Sequence, residues 1–409
     1  MRIEHCSFSV AALLGLGALA CGSSSSGGGG AAGSNAGGAA GSSVSGTSGS
    51  SNGGAIDAGG SSGSVALAGA GAGAVAGGAP PIAGSGGTAP VAGSGGTAGS
   101  AAGSAGSDGI GMDIPPWRDL NVTVAPGQHT HTTPAGQSAG MDNRAAKMAS
   151  KLVVDLGVDA GGYQQYLGKR GFHVIGANSV NACSSINDWT LGRGYDGDCR
   201  LNTLDGLPHG TQSMVTQQQS VMNQVLQALI TFEATYPGEG WGYFLTQDGK
   251  AVRWSDVAFT GLSHGAQSSV CFATQLRVWR AVPQSGPRDN TCGTGVAKGL
   301  YDPANPPFDP NCPVDHIASW LDGPRATPID RIFGFVGAKD TQFGDIMFTM
   351  QRMKFLGDYV NIDTAMAPYG GSHRFYSMAA GHNSFPNGFP IAAINLAFDV
   401  PPENANPTF

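Results

Sequence analysis

A tract in which nearly every residue is Gly, Ala, Ser or Thr extends from Cys21 to about Ile110, and it restricts where this chain can fold. The tract lacks the large apolar side chains whose burial offsets the loss of chain entropy on folding. Gly/Ser-rich segments behave as flexible coils. We therefore predict a disordered linker over residues 21–110. The following segment, residues 111–409, is long enough for one large domain.

The first 20 residues have the pattern of a secretory signal peptide. Arg2 precedes an apolar run from Phe8 to Leu19, which ends in small residues. A membrane-spanning helix needs about 20 apolar residues, so this run is too short to be one. The sequence therefore predicts an exported protein whose residues 1–20 are removed.

Ala18–Gly22 (ALACG) resembles the lipobox of bacterial lipoproteins, in which the cysteine becomes the lipidated N-terminus. A long flexible spacer after such a cysteine suits a surface tether. We expect lipidation of Cys21 and placement in the outer membrane or at the cell surface. The alternative is simple cleavage and release into the periplasm or the medium.

The charge of the chain is mildly acidic, with 28 acidic and 21 basic residues and a net charge of −7. It contains no basic run of the kind that binds nucleic acid or an anionic membrane surface. We expect neither partner, except for the membrane contact that a lipid anchor would make.

Five cysteines follow the signal region, and four of them flank polar loops rich in Gly, Pro and Asp. Disulfides steady such loops in oxidising compartments. Pairing between cysteines close in sequence does not require distant segments to come together, so we predict the disulfides Cys183–Cys199 and Cys292–Cys312. We expect Cys271 to be a buried thiol.

No paired CxxC or HxxxH spacing indicates a metal site. Asp196-Gly197-Asp198 offers oxygen ligands for calcium, but we interpret it as a surface turn. His129-Thr130-His131 is the other candidate metal ligand pair. We interpret its histidines, together with His173, His209 and His316, as solvated or structural.

Short apolar runs alternate with helical patterns after residue 150, and this order predicts a mostly parallel sheet with helices on both faces. The predicted strands span residues 151–156, 171–176, 256–260, 277–283, 331–336 and 373–378, and the predicted helices 163–169, 212–236 and 266–276. Residues 285–328 are rich in Pro and Asp and have no clear period, so we interpret them as an insertion over one edge of the sheet and a possible lid.

Residues 261–265 (GLSHG) match the pattern G-x-S-x-G. Residues 59–63 of the linker match it equally well, so the pattern alone indicates little. Ser263, however, follows an apolar strand and opens a helix, which is the context of a nucleophile elbow. Gly261 and Gly265 permit the sharp turn without Cβ clashes. We predict that Ser263 is a nucleophile; an ordinary strand–helix turn is the alternative.

A serine hydroxyl needs a base to take its proton. Asp340 and His382 each lie just past a predicted strand, at the edge where an α/β sheet builds its site. We predict that His382 is the general base and that Asp340 fixes its tautomer. Asp345 instead suits a helix start, and His373 and His264 lie in the wrong places for a base.

The oxyanion hole of such a site needs two backbone donors. We expect the N–H of His264, directly after the nucleophile, to be one of them. The other should come from residues 157–162, where Val158 is our candidate and Asp159 the next.

The elbow, the later Asp340 and His382, and the turn Tyr236–Gly242 (YPGEGWG) resemble a branch of bacterial secreted α/β-hydrolases, within the superfamily of serine esterases and lipases. The resemblance covers nearly all of residues 150–400. It implies an α/β-hydrolase fold and a serine hydrolase that needs no cofactor. We expect it to cleave carboxylic esters, small or lipid-like, through an acyl-enzyme. The rival interpretation is a non-catalytic surface protein that uses this scaffold for binding.

Overall fold

A computed structural model of the chain describes residues 114–156, 160–178, 183, 192–212 and 214–406. The predicted signal peptide, Cys21, the linker over residues 21–110 and the oxyanion candidates Val158 and Asp159 lie outside these residues. Within the described part, no helix has both the length and the apolar character needed to cross a bilayer.

Nine strands of the described residues form one sheet. In chain order they are β1 (Gln128–Thr132), β2 (Ser138–Asp142), β3 (Leu152–Asp155), β4 (His173–Gly176), β5 (Val257–Leu262), β6 (Arg280–Gln284), β7 (Gly334–Gly337), β8 (Tyr359–Asn361) and β9 (Arg374–Ser377). Their order across the sheet is β1-β2-β4-β3-β5-β6-β7-β9-β8. The β1–β2 and β2–β4 pairs are antiparallel and every other pair is parallel.

In the same described ranges six α-helices accompany the sheet: α1 (Ala160–Gly168), α2 (Tyr195–Asp205), α3 (Val221–Thr235), α4 (His264–Gln275), α5 (Phe343–Arg352) and α6 (Ile391–Ala397). Successive strand residues point to opposite faces. Accordingly, Val154 and Phe259 belong to one apolar core and Val153 and Ala258 to another. Helices α3, α4 and α5 cover the first core, and α6 covers the second. The predicted sheet with helices on both faces is confirmed.

Two predicted segments differ from the structure. Helix α3 does not begin near Gln212, because Ser220 is its N-cap and accepts a hydrogen bond from the Asn223 N–H at 3.2 Å. The predicted surface turn at Asp196–Asp198 is wrong, since these residues form the first turn of α2 and Asp196 is only 4% exposed. Helix α2 escaped notice because its buried face is largely polar.

Residues 285–328 connect β6 to its neighbour β7 with little regular structure apart from short 3₁₀ segments at Val314–His316 and Ser319–Asp322. Phe308, Ile317 and Leu321 of this segment are buried in the core that α4 and α5 cover. The disulfide Cys292–Cys312 closes a loop within this segment. The other disulfide joins Cys183, which precedes α2, to Cys199 in that helix. Cys271 is a buried free thiol on α4.

Candidate active site

Ser263 stands at the turn between β5 and α4 with φ 56° and ψ −113°, a backbone conformation that non-glycine residues rarely adopt. The turn is tight because β5 and α4 approach closely: a Cβ on Gly261 would lie 2.8 Å from the carbonyl carbon of Gly265. The Ser263 N–H donates to the carbonyl oxygen of Gln284 at 3.0 Å, which fixes the turn to the end of β6. The half-buried Ser263 is thereby held at the carboxyl edge of the sheet.

Asp340 and His382 are hydrogen-bonded to each other, with 2.7 Å between the histidine Nδ1 and the aspartate Oδ2. Asp340 follows β7, is 1% exposed, and accepts a second hydrogen bond from the Gln342 N–H at 2.9 Å. His382 follows β9, and its side chain is 29% exposed. A buried carboxylate therefore holds a partly open imidazole at the same carboxyl edge as Ser263.

Ser285 links the segments that carry these side chains. Its hydroxyl donates to the carbonyl oxygen of His382 at 2.8 Å, and its N–H donates to Phe335 of β7 at 2.8 Å. Ser285 directly follows Gln284, the residue that accepts from the Ser263 N–H. Among the described residues no hydrogen bond joins the Ser263 hydroxyl to the His382 ring. Catalytic hydrogen bonds are often long before substrate binds.

The competing candidates lie elsewhere. Asp345 is in the first turn of α5, and its carboxylate accepts from the Gly293 N–H at 2.7 Å. His373 precedes β9, at the opposite edge of the sheet from His382, and its ring stacks on Phe333. Burial lowers the pKa of His373 to about 4, so this imidazole is neutral at ordinary pH.

His264 is the first residue of α4, so its N–H has no acceptor within the helix. Burial, and then the nearby positive charge of Arg200, lower the pKa of its ring. Its ring is therefore uncharged near neutral pH, while its backbone N–H lies directly beside the turn at Ser263.

A buried polar cluster supports the first turns of α4. Arg200 of α2 makes two hydrogen bonds to Asp289, of 2.8 Å and 2.7 Å, and one of 2.7 Å to Gln267 of α4. Asp289 also accepts from the Trp320 indole at 2.7 Å. Burial and the charge of Asp289 raise the pKa of nearby Asp196 to about 7, whereas Arg200 keeps Asp289 ionised.

Three other histidines of the described residues make structural contacts. His131 is buried, bonds Glu239 at 2.7 Å and stacks on Tyr236, while His173 bonds the Glu239 carbonyl oxygen at 2.6 Å. His209 pairs with Asp205. Within the ranges that the structure describes, no group of three or more His, Cys, Asp or Glu residues is arranged to hold a metal ion, and this includes His129 and His131.

Sequence analysis missed Ser285, Arg200 and Asp289, all of which support the candidate site. Ser285 begins a Ser-Gly-Pro sequence two residues after the end of the strand predicted over 277–283, a signal of a tight turn at the functional edge of the sheet. Arg200 and Asp289 are 89 residues apart, and nothing in the sequence pairs them.

No protein-family model and no curated protein matched the chain. Similar solved structures include an S-formylglutathione hydrolase from Agrobacterium tumefaciens, with 12% identity, 71% and 99% of the two chains covered, and a TM-score of 0.33. A bacterial heroin esterase has 10% identity, coverage of 72% and 85%, and a TM-score of 0.34. An acylaminoacyl peptidase from Pyrococcus horikoshii has 11% identity and a TM-score of 0.30; the match covers 67% of this chain and only 40% of the peptidase.

At these identities and TM-scores the similarity carries nothing about chemistry. The fold class rests instead on the topology. The mostly parallel sheet, its strand order and the strand–turn–helix at Ser263 are those of the α/β-hydrolase fold. The described residues have that fold, as the sequence predicts.

Proposed function

We propose that this chain is a serine hydrolase that cleaves carboxylic esters through an acyl-enzyme on Ser263. The Ser263 Oγ attacks the ester carbonyl carbon while His382 Nε2 accepts its proton. Asp340 holds the other ring nitrogen protonated and stabilises the imidazolium that forms. The negative charge on the carbonyl oxygen is stabilised by the His264 N–H and by a second donor, for which Val158 is the candidate.

The tetrahedral intermediate formed by this attack then collapses to the acyl-enzyme, and the alcohol leaves with the proton held by His382. Water enters, His382 takes a proton from it, and the resulting hydroxide attacks the acyl carbon. The acid departs and Ser263 regains its proton. No metal or organic cofactor takes part in this sequence of steps.

One observation carries the proposal: a serine in a strained turn after β5 and a carboxylate–imidazole pair after β7 and β9 lie at the same carboxyl edge of the sheet, and Ser285 at the end of the intervening β6 links them. Backbone strain of this kind costs about 1–3 kcal/mol and concentrates at functional sites. A scaffold kept only for binding has no need of the buried Asp340 behind an open histidine. A preference for esters over amides is part of the proposal, and small or lipid-like esters are its substrate class.

A fluorophosphonate probe tests the proposal, because it modifies only activated serines. We expect covalent labelling of the wild type at Ser263 and none of Ser263→Ala. Ser319→Ala serves as the control, since it removes an exposed serine hydroxyl that bonds only the backbone of Arg193. Labelling of Ser263→Ala at the wild-type rate would refute Ser263 as the nucleophile, and no labelling of folded wild type would favour the non-catalytic binding protein.

The cellular location belongs to the same proposal. Two disulfides persist best in an oxidising compartment, which agrees with an exported protein. We propose that Cys21 carries lipid and tethers the hydrolase to the outer membrane through residues 21–110. Mass spectrometry of the mature N-terminus tests this: an unmodified terminus beyond Cys21 refutes the anchor and leaves the catalytic proposal intact.

A further inference from the structure

Arg288 lies in the loop that follows β6 and passes beside the candidate nucleophile. Two residues earlier in this loop, Gly286 approaches the turn so closely that a Cβ there would lie 3.4 Å from the Ser263 carbonyl oxygen. Two residues extend at most about 7 Å, so the Arg288 backbone is near the site. That backbone is fixed, because its carbonyl oxygen accepts from Thr349 Oγ1 at 2.8 Å and from Asn290 Nδ2.

The Arg288 guanidinium has no carboxylate partner among the described residues, and its Nε is buried without a hydrogen bond. Three acids interact with its charge at longer range, but none forms an ion pair with it among the described residues. Asp289 accepts from Nε and Nη2 of Arg200, and Asp345 accepts from the Gly293 N–H. Asp196, the third nearby acid, has a pKa raised to about 7 by burial and by the charge of Asp289. At mildly acidic pH it is mostly neutral and does not cancel the Arg288 charge.

A half-buried cation without an acid partner is a costly arrangement unless an anion completes it. The planar guanidinium matches a carboxylate, which it can bind through two parallel hydrogen bonds. The charge of Arg288 also contributes to lowering the pKa of the His264 ring, directly after Ser263, so an anion bound to Arg288 lies close to the candidate nucleophile.

We propose that Arg288 is a specificity-determining residue that binds a carboxylate carried by the ester substrate. This inference rests on the proposed function and narrows its substrate class to half-esters of short dicarboxylic acids and related anionic esters. The carboxylate is held by Arg288 while the ester carbonyl, a few bonds away, lies against Ser263. The bound charge positions the substrate and takes no part in bond breaking.

The experiment compares the anionic ester mono-p-nitrophenyl glutarate with the neutral p-nitrophenyl hexanoate, which is similar in length. At pH 6 and low salt we expect kcat/KM of the wild type to favour the anionic ester at least tenfold. Arg288→Gln should lower the ratio of the two kcat/KM values at least tenfold. Arg288→Lys keeps the charge but loses the two parallel hydrogen bonds, so its ratio should lie between those of the wild type and Arg288→Gln.

Arg325→Gln is the matched control, because Arg325 is also a half-buried arginine whose Nε lacks a partner. It is next to Ala326, whose N–H bonds Thr274 near the far end of α4, about 16 Å along that helix from Ser263. This variant should leave the ratio unchanged. A second measurement that needs no variant is inhibition of the wild type, where free glutarate should compete far better than neutral glutaramide.

The outcomes separate the two proposals. Equal kcat/KM for both esters in the wild type, or equal losses for both in Arg288→Gln, overturns the role of Arg288 while the hydrolase proposal stands. Failure of the wild type to react with the fluorophosphonate or with any ester refutes the hydrolase itself. If Arg288→Gln does not fold, the glutarate and glutaramide comparison decides, and equal inhibition constants overturn the inference.

Discussion

Replacement of Asp340 by asparagine tests the proposed catalytic role with little change of shape. The amide oxygen can still accept from the Gln342 N–H, whose nitrogen lies 2.9 Å from Asp340 Oδ1 in the wild type. The amide nitrogen then faces His382 Nδ1, which at present lies 2.7 Å from the carboxylate. An amide N–H donates, so Nδ1 must become the acceptor, and the ring proton moves to Nε2. In that tautomer His382 cannot accept the Ser263 proton.

The size of the effect follows from two terms. The wrong tautomer removes the general base, and loss of the buried carboxylate removes the charge that stabilises the imidazolium. The His382 side chain is 29% exposed, so solvation by water replaces part of the stabilisation of the imidazolium that the carboxylate provides. We expect kcat to fall by about 10³ to 10⁴, which corresponds to about 4–5.5 kcal/mol of added barrier.

The assay is the release of p-nitrophenol from an activated ester over pH 6–10, with thermal unfolding to establish that the variant is folded. Asp345→Asn is the control, since it makes the same chemical change in a nearby acid that bonds only the backbone around Gly293. We expect this variant to keep kcat within about threefold, because the Asp345 side chain makes no contact with the proposed catalytic residues. A folded Asp340→Asn that loses less than tenfold, or an equal loss in Asp345→Asn, would refute the assigned roles.

Three further predictions follow from neighbouring contacts. Ser285→Ala removes the hydrogen bond to the His382 carbonyl, so kcat for an ester should fall about 10- to 100-fold with KM little changed, as steady-state kinetics can measure. Arg200→Met leaves Asp289 buried without its ion pair and should lower the free energy of unfolding in urea by about 3–5 kcal/mol. The pKa of Asp196 is raised to about 7, so folding opposes its ionisation and stability should decline as pH rises from about 4 to 7; thermal unfolding of Asp196→Asn should lack this decline.

Apolar sequence patterns were sufficient to predict the centre of the sheet. β3, β5 and α4 carry apolar runs that only burial explains, and each was found within a few residues of its predicted bounds. The antiparallel pair β1 and β2 was not predicted, because neither QHTHT nor SAGMD has the alternation of apolar and polar residues that marks a half-buried strand. These strands form because β2 pairs with β4, a contact between distant residues that no local pattern reveals.

The polar contacts of the candidate site were harder to predict than its chain order. Asp340 and His382 were identifiable because each follows a strand at the edge where parallel sheets place ligands. Helix α2 was missed because its buried side chains include Arg200 and Asn202, so hydrophobic periodicity does not mark it as a helix. The bond between Ser285 and His382 spans 97 residues and depends on the exact ends of two strands.

The two strained serines connect the fold with the chemistry. Ser263 and Ser285 both have φ above +50° and end the neighbouring strands β5 and β6. Glycine adopts such a conformation without the cost of about 1–3 kcal/mol that a side chain adds. A hydroxyl at each position must therefore contribute something that glycine lacks. For Ser285 this is the hydrogen bond to the His382 carbonyl. For Ser263, whose hydroxyl bonds no described residue, we propose that it is attack on the substrate.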